Sequence, residues 1–185
     1  MHFVIVGAGA WGTAVALHLA RAGCEVTLVP RRESQARDLA ARRENLDYLP
    51  GQVLPPEIRI VAEREAPLAR AEVILLACPA QALRETCGRL RDAIGSAGDA
   101  RLIVSLAKGL ELGTHLRPTE VIAAALTGFP VAALAGPTNA LGVARGDPSA
   151  MVLASARVAG VVQAVQAAIS SPTLRVYTSD DLPGL

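Results

Sequence analysis

Three groups of residues stand out as candidates for ligand contact or catalysis. The first is Gly7-Ala8-Gly9-Ala10-Trp11-Gly12, a G-x-G-x-x-G pattern placed directly after the apolar run His2–Val6. Glycines at that spacing serve three ends. Gly7 permits a tight turn, Gly9 lets backbone approach a pyrophosphate, and Gly12 lets a helix pack closely on its strand. The helix that follows opens with unpaired N–H groups and the positive end of its dipole, which together attract phosphate. The competing reading is a turn with a structural role only. Trp11 sits inside the turn, and its ring could either pack on the sheet edge or wall the bound ligand.

The second group is Arg31-Arg32, directly after Val29-Pro30. An acid about 20 residues beyond the glycine turn commonly binds a ribose 2′-hydroxyl. Here no acid occurs before Glu33. A guanidinium pair suits a 2′-phosphate, because its fork gives bidentate, charge-assisted bonds. NADP(H) is therefore preferred over NAD(H), against the alternative that the arginines only solvate a strand end. The third is Lys108, the single lysine in a chain with 18 lysines and arginines, directly before Gly109 at the end of an apolar run. An ammonium is a compact donor that can polarise a ketone oxygen or hold an alkoxide. A chance surface lysine is the alternative. His2, His18 and His115 have no spaced partners and read as structural or solvated. No Cys, His or carboxylate cluster has metal-ligand spacing.

Alternating elements must position these residues. Strands are expected at 2–6, 25–29, 58–61, 72–77, 101–106, 131–135, 150–154 and 174–177. Helices are expected at 10–22, 34–44, 79–93, 118–126, 139–144 and 157–168, and 45–56 reads as a loop rich in Pro and Gly. Strands apolar on both faces, alternating with helices, imply an α/β fold. The expected architecture is Rossmann-like and doubly wound, a mainly parallel sheet with helices on both faces.

Composition bounds the rest. The 185 residues are 51% apolar, and mean hydropathy is +0.36, which excludes intrinsic disorder. A net charge of +1 with 3% aromatics argues against a nucleic-acid partner. The longest apolar region, 121–135, is interrupted by Thr127, Gly128 and Pro130, so no membrane insertion is expected. Met1-His2-Phe3 lacks a basic leader, and Cys24, Cys78 and Cys87 form no CxxC pair. Both features point to a cytoplasmic, reducing location.

Beyond the glycine turn, further spaced motifs resemble those of the bacterial NAD(P)-dependent glycerol-3-phosphate dehydrogenase family. Asn45-Leu46-Asp47-Tyr48-Leu49-Pro50-Gly51 with Leu54-Pro55 is similar to its N-x-x-Y-L-P-G…L-P loop. Cys78-Pro79-Ala80-Gln81-Ala82-Leu83-Arg84 resembles its V-P-S-Q-A-L-R segment, and Ala107-Lys108-Gly109 its K-G motif. Gly136-Pro137-Thr138-Asn139-Ala140 followed by Gly146-Asp147-Pro148-Ser149-Ala150 resembles G-P-[ST]-x-A…G-x-P-[ST]-A, and Arg175-Val176-Tyr177 resembles F-R-V-Y. The resemblance implies an oxidoreductase that interconverts dihydroxyacetone phosphate and sn-glycerol 3-phosphate, feeding phospholipid biosynthesis. It implies that Ala10, Trp11 and Ala140 touch the cofactor and that Arg31 and Arg32 lie near the adenosine ribose. Lys108 would face both nicotinamide and substrate, and Gly136 and Thr138 would contact substrate.

Two departures qualify this. Gly142 stands where the family carries Glu, beside the implied substrate site. The resemblance also implies a second, helical domain bearing a lysine that acts as general acid/base. With Lys108 the only lysine, no catalytic residue for that role is found here. The expected organisation is a cofactor-binding domain over 1–178, with 179–185 beginning a linker to the helical domain, and this chain alone is expected to be inactive. Apolar surface facing that domain makes a homodimer a further expectation. Two other readings stay open: a ketopantoate-reductase-like NADP enzyme, which the Lys108-Gly109 and Gly136-Pro137 motifs oppose, and a catalytically silent NADP(H)-binding module.

Overall fold

The computed structural model describes residues 1–95, 99–156 and 159–184. Its spine is an eight-stranded sheet. The first strand, β1 (His2–Val6), shows how both faces are built. Strand alternation sends Phe3 and Ile5 into one apolar cluster and Val4 and Val6 into another, and all four are at most 4% exposed. Burial on both faces requires helices on both faces. Helix α1 (Ala10–Arg21) contributes to the Phe3 side. On the Val4 side lies α3 (Ala80–Ile94), with Leu83, Cys87, Leu90 and Ile94 buried along one stripe.

The remaining elements are β2 (Glu25–Val29), α2 (Glu33–Arg42), β3 (Glu44–Asn45), β4 (Leu49–Val53), β5 (Ile58–Ile60), β6 (Val73–Leu76), β7 (Leu102–Ser105), α4 (Pro118–Ala125), β8 (Val131–Ala135), α5 (Ala140–Arg145), β9 (Ser149–Ala154), α6 (Ala159–Ile169) and β10 (Leu174–Ser179). The sheet order is β10-β9-β8-β7-β6-β1-β2-β5. All pairings from β5 to β8 are parallel. Chain order reverses between β1 and β6, and a crevice at the carboxyl ends of such strands is where open α/β sheets bind ligands.

The expected Rossmann-like, mainly parallel sheet is thus borne out, with two differences in detail. Strand β9 runs antiparallel to β8, and β10 is parallel to β9, so this edge opposes the rest of the sheet. Apolar strands carry no mark of direction. Only the short connection through the six-residue α5 hinted at a return rather than a full crossover. The segment read as a loop, 45–56, contains a small antiparallel hairpin of β3 and β4. Its Pro50 and Gly51 suppressed a strand reading. Arg43, in the left-handed region at φ 53°, anchors the hairpin by donating to Leu54 O (3.2 Å), Pro55 O and Ile58 O (2.9 Å).

The helix expected to begin at Arg157 is α6; Arg157 and Val158 lie outside the described residues. Helix α1 ends as its sequence suggests. Gly23 takes φ 79°, and the N–H groups of Gly23 and Cys24 close on Ala20 O and Leu19 O. His18 is structural: its buried Nε2 lies 2.6 Å from Ile169 O and ties α1 to the end of α6. His2 pairs with the Thr27 hydroxyl at 3.0 Å, and His115 is exposed. No helix among the described residues is long and apolar enough to cross a membrane.

Candidate functional site

The glycine turn joins β1 to α1 at the switch point. Gly7 has φ 110°, and a Cβ there would meet Ala77 O at 2.6 Å. A Cβ on Gly12 would meet Gly7 O at 2.0 Å and the Ala77 Cβ at 3.0 Å. These two glycines are therefore demanded by packing of the turn against the end of β6. Gly9 differs. A Cβ on it would meet nothing within 4 Å, so the space over it is open. Gly9 is the N-cap of α1 and supplies no side-chain cap, which leaves the first N–H groups of the helix unfilled. That combination of open space and free donors fits a phosphate group.

A cavity of about 260 Å³ adjoins the turn. Gly7, Gly9 and Arg31, three of the residues expected to hold a cofactor, line it together. Arg31 is exposed and reaches Glu85 at 3.4 Å, a loose ion pair. Arg32 does not line this cavity. It is the N-cap of α2, and its side chain borders the neighbouring hollow between α2 and the hairpin. Trp11 is half-buried and packs against the apolar core, which accords with the packing alternative for its ring.

Sequence reasoning missed other residues on this cavity. Tyr48, at the hairpin tip, lines it and is half exposed. Gln35 lines it too, and donates from Nε2 to Ala8 O at 3.0 Å. Glu63 arrives from a short 3-10 turn at 63–65, but Arg89 holds it in two bonds of 2.9 and 3.2 Å. The Asn45-x-x-Tyr48 spacing was the available signal, and it needed the hairpin to become meaningful. Cys78 forms part of the wall, and burial pushes its thiol pKa up, away from the reactive thiolate.

Lys108 lies elsewhere. It lines a second, larger cavity of about 690 Å³ together with Ala135, Gly136, Arg117, Thr119 and Leu182. The Lys108 Nζ lies 3.4 Å from Gly136 O, so the structure does bring these two predicted residues together. Gly136 also has a packing reason to be glycine, since a Cβ would meet Ala150 O of β9 at 2.6 Å. Ala140, the first residue of α5, packs half-buried against the core and lines neither cavity. Among the described residues, two buried polar atoms lack hydrogen-bond partners: Arg117 Nη1, on a residue that lines the second cavity, and Thr138 Oγ1, on a residue that does not line it but follows Pro137, which does. Buried polar groups are rarely left unpaired, so these mark where a further group would be accommodated.

Side-chain clamps fix the loop that carries Lys108. Gln81 of α3 donates to Leu110 O (2.9 Å) and accepts from Leu112 N–H (2.8 Å). Arg84 grips Glu111 through two bonds of 2.8 and 2.7 Å. The guanidinium and the Thr114 hydroxyl hold the Glu111 carboxyl at a pKa of about 2. Gly142 also acquires a local explanation. It is the third residue of α5, where a Glu would complete a capping box. Here Asn139 Oδ1 caps the Gly142 N–H at 2.8 Å, and a Cβ on Gly142 would press on Asn139 and Asp147 at 3.3 Å.

The family model described as NAD-dependent glycerol-3-phosphate dehydrogenase N-terminus matches residues 2–160. The chain belongs to this family. It is 44% identical over 187 residues to the glycerol-3-phosphate dehydrogenase [NAD(P)+] of Thermus thermophilus, covering all of this chain and 55% of that protein. The enzyme of the same name from Chlorobium luteolum is 40% identical over 188 residues, again covering all of this chain and 55% of the relative. Among solved structures, glycerol-3-phosphate dehydrogenase from Coxiella burnetii superposes with a TM-score of 0.90 at 32% identity, covering 99% of this chain and 55% of that one. The chain therefore spans about half the length of its curated glycerol-3-phosphate dehydrogenase relatives, their N-terminal part. Membership in this family sets aside the ketopantoate-reductase-like alternative.

Proposed function

We propose that this chain is the cofactor-binding half of a cytoplasmic enzyme that reduces dihydroxyacetone phosphate to sn-glycerol 3-phosphate for phospholipid synthesis, with NADPH preferred over NADH. The observation that carries the proposal is the glycine turn, with open space over Gly9 and unfilled N–H groups at the start of α1. Those donors would hold the pyrophosphate. Arg31, on the cavity wall and loosely paired, would take the 2′-phosphate, with Arg32 one residue further along the same loop. When bound, a reduced nicotinamide supplies a hydride to a carbonyl carbon. Lys108, one strand end away from the crevice, would polarise the ketone oxygen, because an ammonium stabilises charge that develops there. The Gln81 and Arg84 clamps keep that loop in place. Thr138 Oγ1, buried and without a partner among the described residues, would hydrogen-bond substrate, and Gly136 would present backbone beside Lys108.

The test is calorimetric titration of the NADPH-saturated chain with dihydroxyacetone phosphate, compared between wild type and Lys108→Met. The expected outcome is binding that weakens at least tenfold in the variant, about 1.4 kcal/mol. Equal affinity in both would remove Lys108 from the substrate site.

A further inference from the structure

The peptide between Ala8 and Gly9 is held from outside the turn. Its oxygen, Ala8 O, accepts from Asn45 Nδ2 at 3.0 Å and from Gln35 Nε2 at 3.0 Å. Asn45 belongs to the hairpin and is 2% exposed; Gln35 belongs to α2 and is half-buried. The second N–H of the Asn45 amide donates to Thr13 Oγ1 at 2.7 Å, inside α1. One buried amide therefore bridges hairpin, turn and helix. Ala8 O can only accept, so the nitrogen of each amide must face it.

The consequence lies in the other half of the same peptide. In a trans peptide the C=O and N–H point in opposite directions. Drawing Ala8 O toward α2 and the hairpin turns the Gly9 N–H the other way, and among the described residues it donates to no acceptor. Gly9 sits at φ −75°. Rotating this peptide by half a turn would carry it to positive φ, which glycine alone tolerates freely. The residue that leaves the site open is thus also the one that permits the flip. A flipped peptide would offer a carbonyl oxygen where an anion needs a donor.

We propose that Asn45 and Gln35 are positioning residues of the glycine turn, holding the Ala8–Gly9 peptide so that the Gly9 N–H faces the diphosphate of the dinucleotide. This rests on the dinucleotide reading above. It also gives the hairpin a task that its Pro- and Gly-rich sequence did not announce.

The experiment follows the Gly9 amide resonance of the ¹⁵N-labelled chain during titration with ADP, a probe that carries the diphosphate without the nicotinamide. Wild type, Gln35→Ala, Gln35→Glu and Asn45→Ala are compared, with unfolding midpoints recorded in parallel. The expected result is a Gly9 shift in wild type. In the variants that shift should shrink and ADP affinity should fall about tenfold, the size of one lost hydrogen bond. The midpoint of Gln35→Ala should stay near the wild-type value, because the helix propensity that alanine gains offsets the one hydrogen bond to Ala8 O that it loses. Should Asn45→Ala fail to fold, the two Gln35 variants decide alone. An unchanged Gly9 shift and affinity in Gln35→Ala would overturn the proposal. If wild type itself ignores ADP, the dinucleotide reading falls, and the proposal with it.

Discussion

The two cavities at the strand ends are built by different means. Around the glycine turn, backbone meets backbone first, and the Asn45 and Gln35 amides then fix one peptide of it. Gly7 and Gly12 have no room for a methyl group, and the main chains of β1, β6 and α1 set the shape. Around Lys108, side chains set the shape. Gln81 and Arg84 reach from α3; in the segment after Gly136, Asn139 caps α5; and among the described residues Thr138 and Arg117 each bury an atom with no partner. A backbone-built site leaves its trace in the positions of glycines. A side-chain-built site leaves residues that look ordinary until the fold pairs them.

Substitutions in the two cavities should therefore behave differently. The largest effect is expected within the glycine turn itself. Gly12→Ala should cost about 3 kcal/mol in denaturant unfolding, because its Cβ has backbone on one side and no flexible neighbour to yield. Gly9→Ala should cost about 1 kcal/mol or less, as a weaker N-cap, while ADP or NADPH affinity falls. Equal destabilisation by both would erase the distinction between a packing glycine and a ligand glycine.

The second cavity should respond with the opposite sign. Thr138 follows Pro137 of that cavity's wall, and Thr138→Val keeps the shape and removes a buried hydroxyl that has no partner among the described residues. Unfolding should therefore show unchanged or slightly raised stability, by about 1 kcal/mol, with dihydroxyacetone phosphate binding reduced. A loss of stability would mean that the hydroxyl already serves the fold.

The smaller effects are those of pH. Arg84 holds the Glu111 carboxyl, and Arg117 the Glu120 carboxyl, at about 2 against an ordinary 4.5. A carboxylate depressed in the folded state contributes stability that is complete above its unfolded pKa and is lost as pH falls toward the folded one. Stability should therefore decline from about pH 4.5 toward 2, and the Glu111 share of that decline should shrink in Arg84→Ala, with the Thr114 hydroxyl keeping the remainder. Burial likewise lowers the His18 pKa below 6.5, so its contribution is present above pH 6.5 and lost as pH falls below that value. His18→Gln should flatten that region of the stability profile.

What was legible in the sequence follows the same division. The strand runs, the α1 boundaries and the glycine turn could be read, because each rests on local pattern or on steric demand within a few residues. The direction of β9 could not, since Ser149–Ala154 would look the same in either orientation. Nor could the separation of Arg31 from Arg32, which share a loop but border different hollows. Asn45, Gln35 and Glu111 escaped assignment because their partners lie 37, 27 and 27 residues away. Motif resemblance marked several of these positions without saying what they do.

The proposed dinucleotide site beside the glycine turn stands or falls on its 2′-phosphate preference. Titrating the chain with NADPH and with NADH, reading fluorescence of Trp11, its only tryptophan, tests this most directly. NADPH is expected to bind the more tightly, and Arg31→Ala with Arg32→Ala to remove the difference while leaving the weaker NADH affinity in place. Binding of neither nucleotide would contradict the dinucleotide reading and leave the glycine turn as a structural joint between β1 and α1.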